Sequence, residues 1–267
     1  MTTWPSWRRP NPSSTGSLRG QVVWITGASS GIGEYLAYEL AKCGVKLALS
    51  GTNVENLEKV KQKCIGTTQL PLSKINHSSR EECLLQKHFI VMETIFIDQI
   101  HTIECGPLGD SDVLLKPFDI TDFDSFSSHV EAVINHFGKV DILVNNAGRS
   151  QRAGFETIDL PVDEAMFKTN VFGAIHLTRL MVPHFKKQGR GHVVVTSSLA
   201  GKMGQYRRMS RQLGGKMKAG ERRMSTDRCS HLCAVAIANK LDEVWIAQNP
   251  VLILFYLSQY LPTIYRK

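Results

Sequence analysis

"QVVWITGASSGIGEYLAYELAKCG", Gln21 to Gly44, changes its periodicity halfway along. Val22 to Thr26 is an apolar, β-branched run that reads as a buried strand. Past the turn, apolar residues at Ile32, Leu36, Ala37 and Leu40 follow helical spacing. Gly27, Gly31 and Gly33 lie between the two patterns. Without β-carbons the backbone there bends sharply and admits a diphosphate, while the helix N-terminus offers free N–H groups and a partial positive charge. The G-x3-G-x-G spacing, placed between strand and helix as that mechanism requires, predicts a dinucleotide loop made of Gly27, Ser29, Ser30, Gly31, Ile32 and Gly33.

Further along, "VKLALSG" reads as a second strand ending at Ser50, and "TNVENLEKVKQKC" as a helix with a polar face. An acid at the end of this strand would grip a ribose 2'-hydroxyl and select NAD. Gly51, Thr52 and Asn53 stand there instead. With no carboxylate to repel a 2'-phosphate NADP is favoured, and with no arginine to clamp that phosphate NAD stays open; Thr52 is the candidate contact. "VLLKPFDITD" is expected to supply a third strand ending at Asp119, and "VDILVNNAG" a fourth ending at Asn145 and Gly148. Strands alternating with helices at these intervals predict right-handed crossovers and a parallel sheet. Then "VVVTSSLAG" forms a fifth strand and delivers Ser198.

The three motifs "TGASSGIG", "NNAG" and "VVVTSSLAG", in this order, resemble those of the short-chain dehydrogenase/reductase superfamily. The likeness covers residues 20 to 64, 113 to 204 and 224 to 264. It implies an α/β fold, a Rossmann-type doubly wound parallel sheet, incomplete here after the fifth strand. It also implies an oxidoreductase that moves hydride between NAD(P)(H) and a small lipophilic carbonyl or secondary alcohol of retinoid or steroid type, impaired in this chain. The alternatives are a catalytically inactive form that still binds dinucleotide and an interaction protein acting through its basic patch. In that family the glycines hold the diphosphate, the position of Asp119 and Ile120 holds adenine, and Asn145, Ala147 and Gly148 flank the nicotinamide ribose. Ser198 matches the serine that polarises the substrate carbonyl, and Asn170 in "FKTNVFG" a helix residue that supports a proton-relay water.

Two stretches depart from the family. The link between the second helix and third strand, normally short, runs here from Ile65 to Asp112 and includes the apolar "HFIVMETIFIDQIHTIECG". Cys83, His88, His101 and Cys105 within it can be drawn as a zinc site, but the apolar surroundings fit core or interface better, and no metal is expected. The second departure follows Ser198. The family places Tyr-x3-Lys about 13 residues later, the tyrosine as proton donor and the lysine to lower its pKa from about 10. Those positions hold Arg211 and Gly215. Tyr206 is a weak substitute, because Gly214 and Gly215 interrupt any helix joining it to Lys216. "YELAK", Tyr38 to Lys42, has the spacing but rides the helix after the glycine loop. "MSTDRCSHLCAVAIANKL" should be a late helix and "EVWIA" the last strand, leaving the fifth strand an edge unless "EVWIA" pairs with it.

The domain organisation expected is a flexible lead at 1–20, a dinucleotide-binding domain at 21–204, a basic junction at 205–223, and a C-terminal part of the same domain at 224–267. Net charge is +8, yet Lys202 to Arg223 alone holds eight Lys or Arg against Glu221, so the main surface is nearly neutral. No aromatics interleave Arg207 to Arg223, and no nucleic-acid partner is expected. Six cysteines in 267 residues form no disulfide framework and suit a reducing compartment. The lead carries no signal peptide pattern and no run is long enough to span a bilayer. "PVLILFYLSQYLPTIY", Pro250 to Tyr265, is either a core helix or an interfacial segment. The expected location is therefore cytoplasmic, or peripheral on the endoplasmic reticulum membrane. Dimerisation is not expected, because the family's main dimer helix is missing.

Overall fold

A computed structural model describes residues 18–66, 108–151, 153, 155–198, 201 and 224–260. At its centre lies β1 (Val22–Thr26), buried along its whole length. β2 (Lys46–Ser50) pairs with one side of it and β4 (Ile142–Asn145) with the other. β3 (Val113–Leu115) lies outside β2, and β5 (His192–Val195) outside β4. All four pairings are parallel, in the order β3-β2-β1-β4-β5.

Alternation along β1 divides its side chains between two cores. Val23 and Ile25 join Leu47, Leu49, Ile142 and Val144 beneath α1 (Gly31–Lys42) and α2 (Val54–Ile65). Val22 and Trp24 face the opposite way, with Leu143 and Ala48, against α3 (Phe126–Phe137) and α5 (Gly173–Lys187). Burial on both faces is why these strands are apolar throughout rather than at every second residue. This is the doubly wound arrangement expected of the sequence. The α4 helix (Leu160–Phe167) runs into α5 through a π-helical turn, Lys168–Phe172, which contains Asn170. α6 (Thr226–Ala238) packs along α1, with Ala234, Ile237 and Ala238 in the first core.

Four expectations are corrected. β3 stops at Leu115 rather than at Asp119, two residues before Pro117, whose ring fixes φ at about −65°. Lys116 and Phe118 still donate to the Leu49 and Gly51 carbonyls on either side of it. "EVWIA" is not a strand. β5 offers it no pairing, and Trp245 turns instead onto Phe255 and Tyr256 of α7 (Val251–Tyr260). α7 is not a core helix either: Phe255 alone is buried, while Val251, Ile253, Leu254, Leu257 and Tyr260 are exposed. Finally, Leu18 to Gly20 do not belong to a loose lead. Leu18 sits in the first core, and Gly20 donates to the Gly44 carbonyl. The apolar link at 67–107, with its Cys83, His88, His101 and Cys105, and the basic stretch at 202–223, with Tyr206, lie outside the described residues.

Candidate dinucleotide site

In the strand order the chain reverses direction between β1 and β4, the place where open parallel sheets leave a crevice at the strands' carboxyl ends. Thr26, the last residue of β1, closes the floor of that crevice. Its hydroxyl donates to the Val144 carbonyl and accepts from the backbone N–H groups of Asn146 and Ala147, at 3.0 and 3.1 Å. The Asn146 side chain adds bonds to the Thr26 and Gly27 carbonyls. The end of β4 is thereby locked onto the glycine loop.

Contact distances around the glycines show what each is for. Gly27 has φ +66°, and a β-carbon there would lie 2.8 Å from the Ala147 Cα. One on Gly33 would meet the Gly27 carbonyl oxygen at 2.4 Å and Asn146 Nδ2 at 2.5 Å. Both are packing glycines. Gly31 differs: its φ is +62°, and nothing among the described residues lies within 4 Å of where its β-carbon would stand. Ser30 precedes α1 in extended conformation without capping it through its side chain. The helix N-terminus therefore opens onto free space over Gly31, the cradle a diphosphate needs, so the residues present fit a dinucleotide. Ile32 is fixed from behind, its carbonyl accepting from the buried Ser230 hydroxyl at 3.2 Å.

Around this cradle lie the other expected contacts. The Ser29 hydroxyl is 3.1 Å from where a Gly51 β-carbon would be, which brings Ser29 to the corner of Gly51 and the exposed Thr52. Asn53 is used otherwise: its side chain caps α2 by accepting from Asn56 N–H at 2.8 Å. Asp119 is exposed, its carboxylate folded onto Thr121 N–H and Oγ1 at 2.8 Å each. Ile120 is buried, with Gly173 packed so tightly on it that a β-carbon would fall 2.5 Å from its carbonyl oxygen.

Asn145 is buried and donates to the Thr178 hydroxyl on α5 at 2.8 Å, while its Oδ1 has no partner among the described residues. Asn170 clamps the loop after β4. Its amide accepts from Arg149 N–H at 2.8 Å and donates to the Arg149 carbonyl at 2.9 Å, with Gly148 seated against it. Ser198 is exposed three residues beyond β5, and its carbonyl accepts from Gly201 N–H. Sequence reading passed over Thr26 and Thr178. Thr26 had one signal, its place directly before the first glycine; Thr178 had none.

Residues 21–89 and 99–210, more than half of the chain, match the short chain dehydrogenase family. This chain belongs to that family. It is 30% identical over 308 aligned positions to the mouse (Mus musculus) protein "Dehydrogenase/reductase SDR family member 7", spanning 97% of this chain and 79% of that one. It is 33% identical over 183 positions to "11-beta-hydroxysteroid dehydrogenase-like 2" of Arabidopsis thaliana, spanning 68% of this chain and 46% of the relative. In fold it matches the 3-ketoacyl-(acyl-carrier-protein) reductase of Brucella melitensis, solved in complex with NADH. There the TM-score is 0.52 at 24% identity, covering 82% of this chain and 67% of the other. The chain spans only 56% to 67% of the solved chains it matches. The Rossmann-type fold and membership of an oxidoreductase family are thus established. Among the described residues no helix is long and apolar enough to cross a membrane.

Proposed function

We propose that this family member binds NADP, or alternatively NAD, at the carboxyl ends of β1, β2 and β4, and turns over a lipophilic carbonyl or secondary alcohol poorly. The observation carrying the binding reading is the open N-terminus of α1 above Gly31, beside two glycines packed too closely for any side chain. Gly27, Ser29, Ser30, Gly31, Ile32 and Gly33 would hold the diphosphate. Asp119 and Ile120 would border adenine, and Asn145, Ala147 and Gly148 the nicotinamide ribose. Thr52 and Ser29 present neutral hydroxyls at the β2 corner, which tolerate a 2'-phosphate without clamping it. When bound, the dinucleotide supplies hydride chemistry.

On the substrate side Ser198 would donate a hydrogen bond to a carbonyl oxygen. Asn170 would act as a positioning residue, since its amide is spent on the Arg149 main chain. The proton donor is the weak part. Arg211 and Gly215 stand where Tyr-x3-Lys is expected. Losing general acid help costs about 10²- to 10⁴-fold, or about 3 to 5.5 kcal/mol of barrier. The substrate class rests on likeness to relatives named as hydroxysteroid dehydrogenases.

Titrating the protein with NADPH, and separately NADH, while following tryptophan fluorescence tests this reading. Expected is saturable quenching with little coenzyme consumption over a panel of steroid and retinoid carbonyls. Absence of quenching removes the binding claim. Ketone turnover that disappears in Tyr206→Phe removes the claim of impairment.

A further inference from the structure

Thr178 lies on α5, outside every motif that marks the dinucleotide site, yet its hydroxyl accepts the side-chain N–H of Asn145 at 2.8 Å, from 33 residues away in the chain. Asn145 ends β4 and is only 5% exposed, so the setting of its amide is decided inside the protein and not by solvent. Its Oδ1 is buried and has no partner among the described residues. The bond to Thr178 is therefore the one hydrogen bond among the described residues that fixes this amide.

The loop after β4 is pinned almost residue by residue. Thr26 of β1 takes the N–H groups of Asn146 and Ala147, and Asn170 accepts from the N–H of Arg149 and donates to its carbonyl. Thr178 supplies the first pin, on Asn145, from the same run of helix that carries the last. Asn170 and Thr178 are eight residues apart. On an unbroken α-helix that spacing points two side chains about 80° away from each other. The π-helical turn Lys168–Phe172 winds more slowly, with i to i+5 bonds in place of i to i+4, and swings Asn170 toward the side of Thr178. Both then reach one strand end and the loop that leaves it.

We propose that Thr178 is a positioning residue for the nicotinamide half of the dinucleotide, acting through Asn145. This rests on the dinucleotide reading, in which Asn145, Ala147 and Gly148 border the nicotinamide ribose. The adenine half has other supports. Ser230 holds the Ile32 carbonyl behind the diphosphate cradle, and Asn53 caps α2 at the β2 corner. Removing the Thr178 hydroxyl should therefore loosen one half of the ligand and leave the other half held.

Thr178→Val keeps the branched shape and deletes the acceptor, whereas Thr178→Ser keeps the hydroxyl. Each full chain is titrated by calorimetry with NADPH and, separately, with adenosine 2',5'-bisphosphate, which has no nicotinamide half. Expected for Thr178→Val is NADPH binding about 3- to 10-fold weaker, the worth of one hydrogen bond, with the bisphosphate bound as by the native chain. Thr178→Ser should restore the NADPH affinity. Should Thr178→Val not fold, Thr178→Ala decides in its place. A loss shared equally by both ligands, or NADPH binding that the deletion leaves unchanged, overturns the role of Thr178 and leaves the dinucleotide reading standing. A native chain that binds neither ligand overturns both.

Discussion

At the scale of single residues, the glycine loop separates two reasons for having no side chain. On Gly33 a β-carbon would strike backbone, the Gly27 carbonyl at 2.4 Å. Gly33→Ala is therefore expected to lose about 1–3 kcal/mol, measured by urea unfolding. On Gly31 the β-carbon would meet nothing among the described residues, so Gly31→Ala should lose only the left-handed strain of about 1–2 kcal/mol. It would, however, place a methyl in the cradle. Thr26→Val tests the floor: the shape is kept while the N–H groups of Asn146 and Ala147 lose their acceptor. Each buried donor left unpaired costs about 1–3 kcal/mol, so this variant should be less stable than Gly31→Ala. The glycines and Asn145 were legible because their spacing is local. Thr26 was not, because its partners lie about 120 residues away and threonine is ordinary in a strand.

Between elements, α1 and α6 are latched by Glu39, a carboxylate that receives hydrogen bonds from His231 at 2.9 Å and from Lys42. Burial pushes this carboxyl up, but the bonds from His231 and Lys42 outweigh it and hold it below its ordinary 4.5. A depressed carboxyl contributes stability that is present above its unfolded value and lost as pH falls through the folded one. The latch should accordingly be intact at pH 7 and be lost only as pH falls below the ordinary carboxyl range. Glu39→Gln should cost about 1.5–3 kcal/mol at pH 7 and flatten the acid limb of a stability-against-pH curve; an unchanged limb would show that α6 is held by apolar packing alone. Helix and strand identities were readable wherever periodicity was backed by packing, as in α1, β2 and α6. They misled where a partner decides the outcome. "EVWIA" has strand composition but no strand to pair with, and α7 has core composition but only Phe255 finds a core. β3 ended at Leu115, short of the apolar pattern that runs on past Pro117.

For the whole molecule, the question is whether a sheet of five described strands, open at β5, is coupled to its own ligand cradle. The two cores meet across β1, and the loop at the end of β1 is the cradle, so a ligand seated there touches the element on which both cores depend. A ligand that binds only the folded chain must raise its melting midpoint. At 100 times its Kd the gain is about 2.7 kcal/mol. For a domain of about 150–250 residues each kcal/mol is worth about 2–4 °C, giving a rise of about 5–11 °C with NADPH. Gly31→Ala supplies the control, since it should fold and yet lose most of this rise. A native chain that melts cooperatively without moving in millimolar NADPH would mean that the cradle is only a tight turn. A shift that survives in Gly31→Ala would place the ligand elsewhere on the sheet.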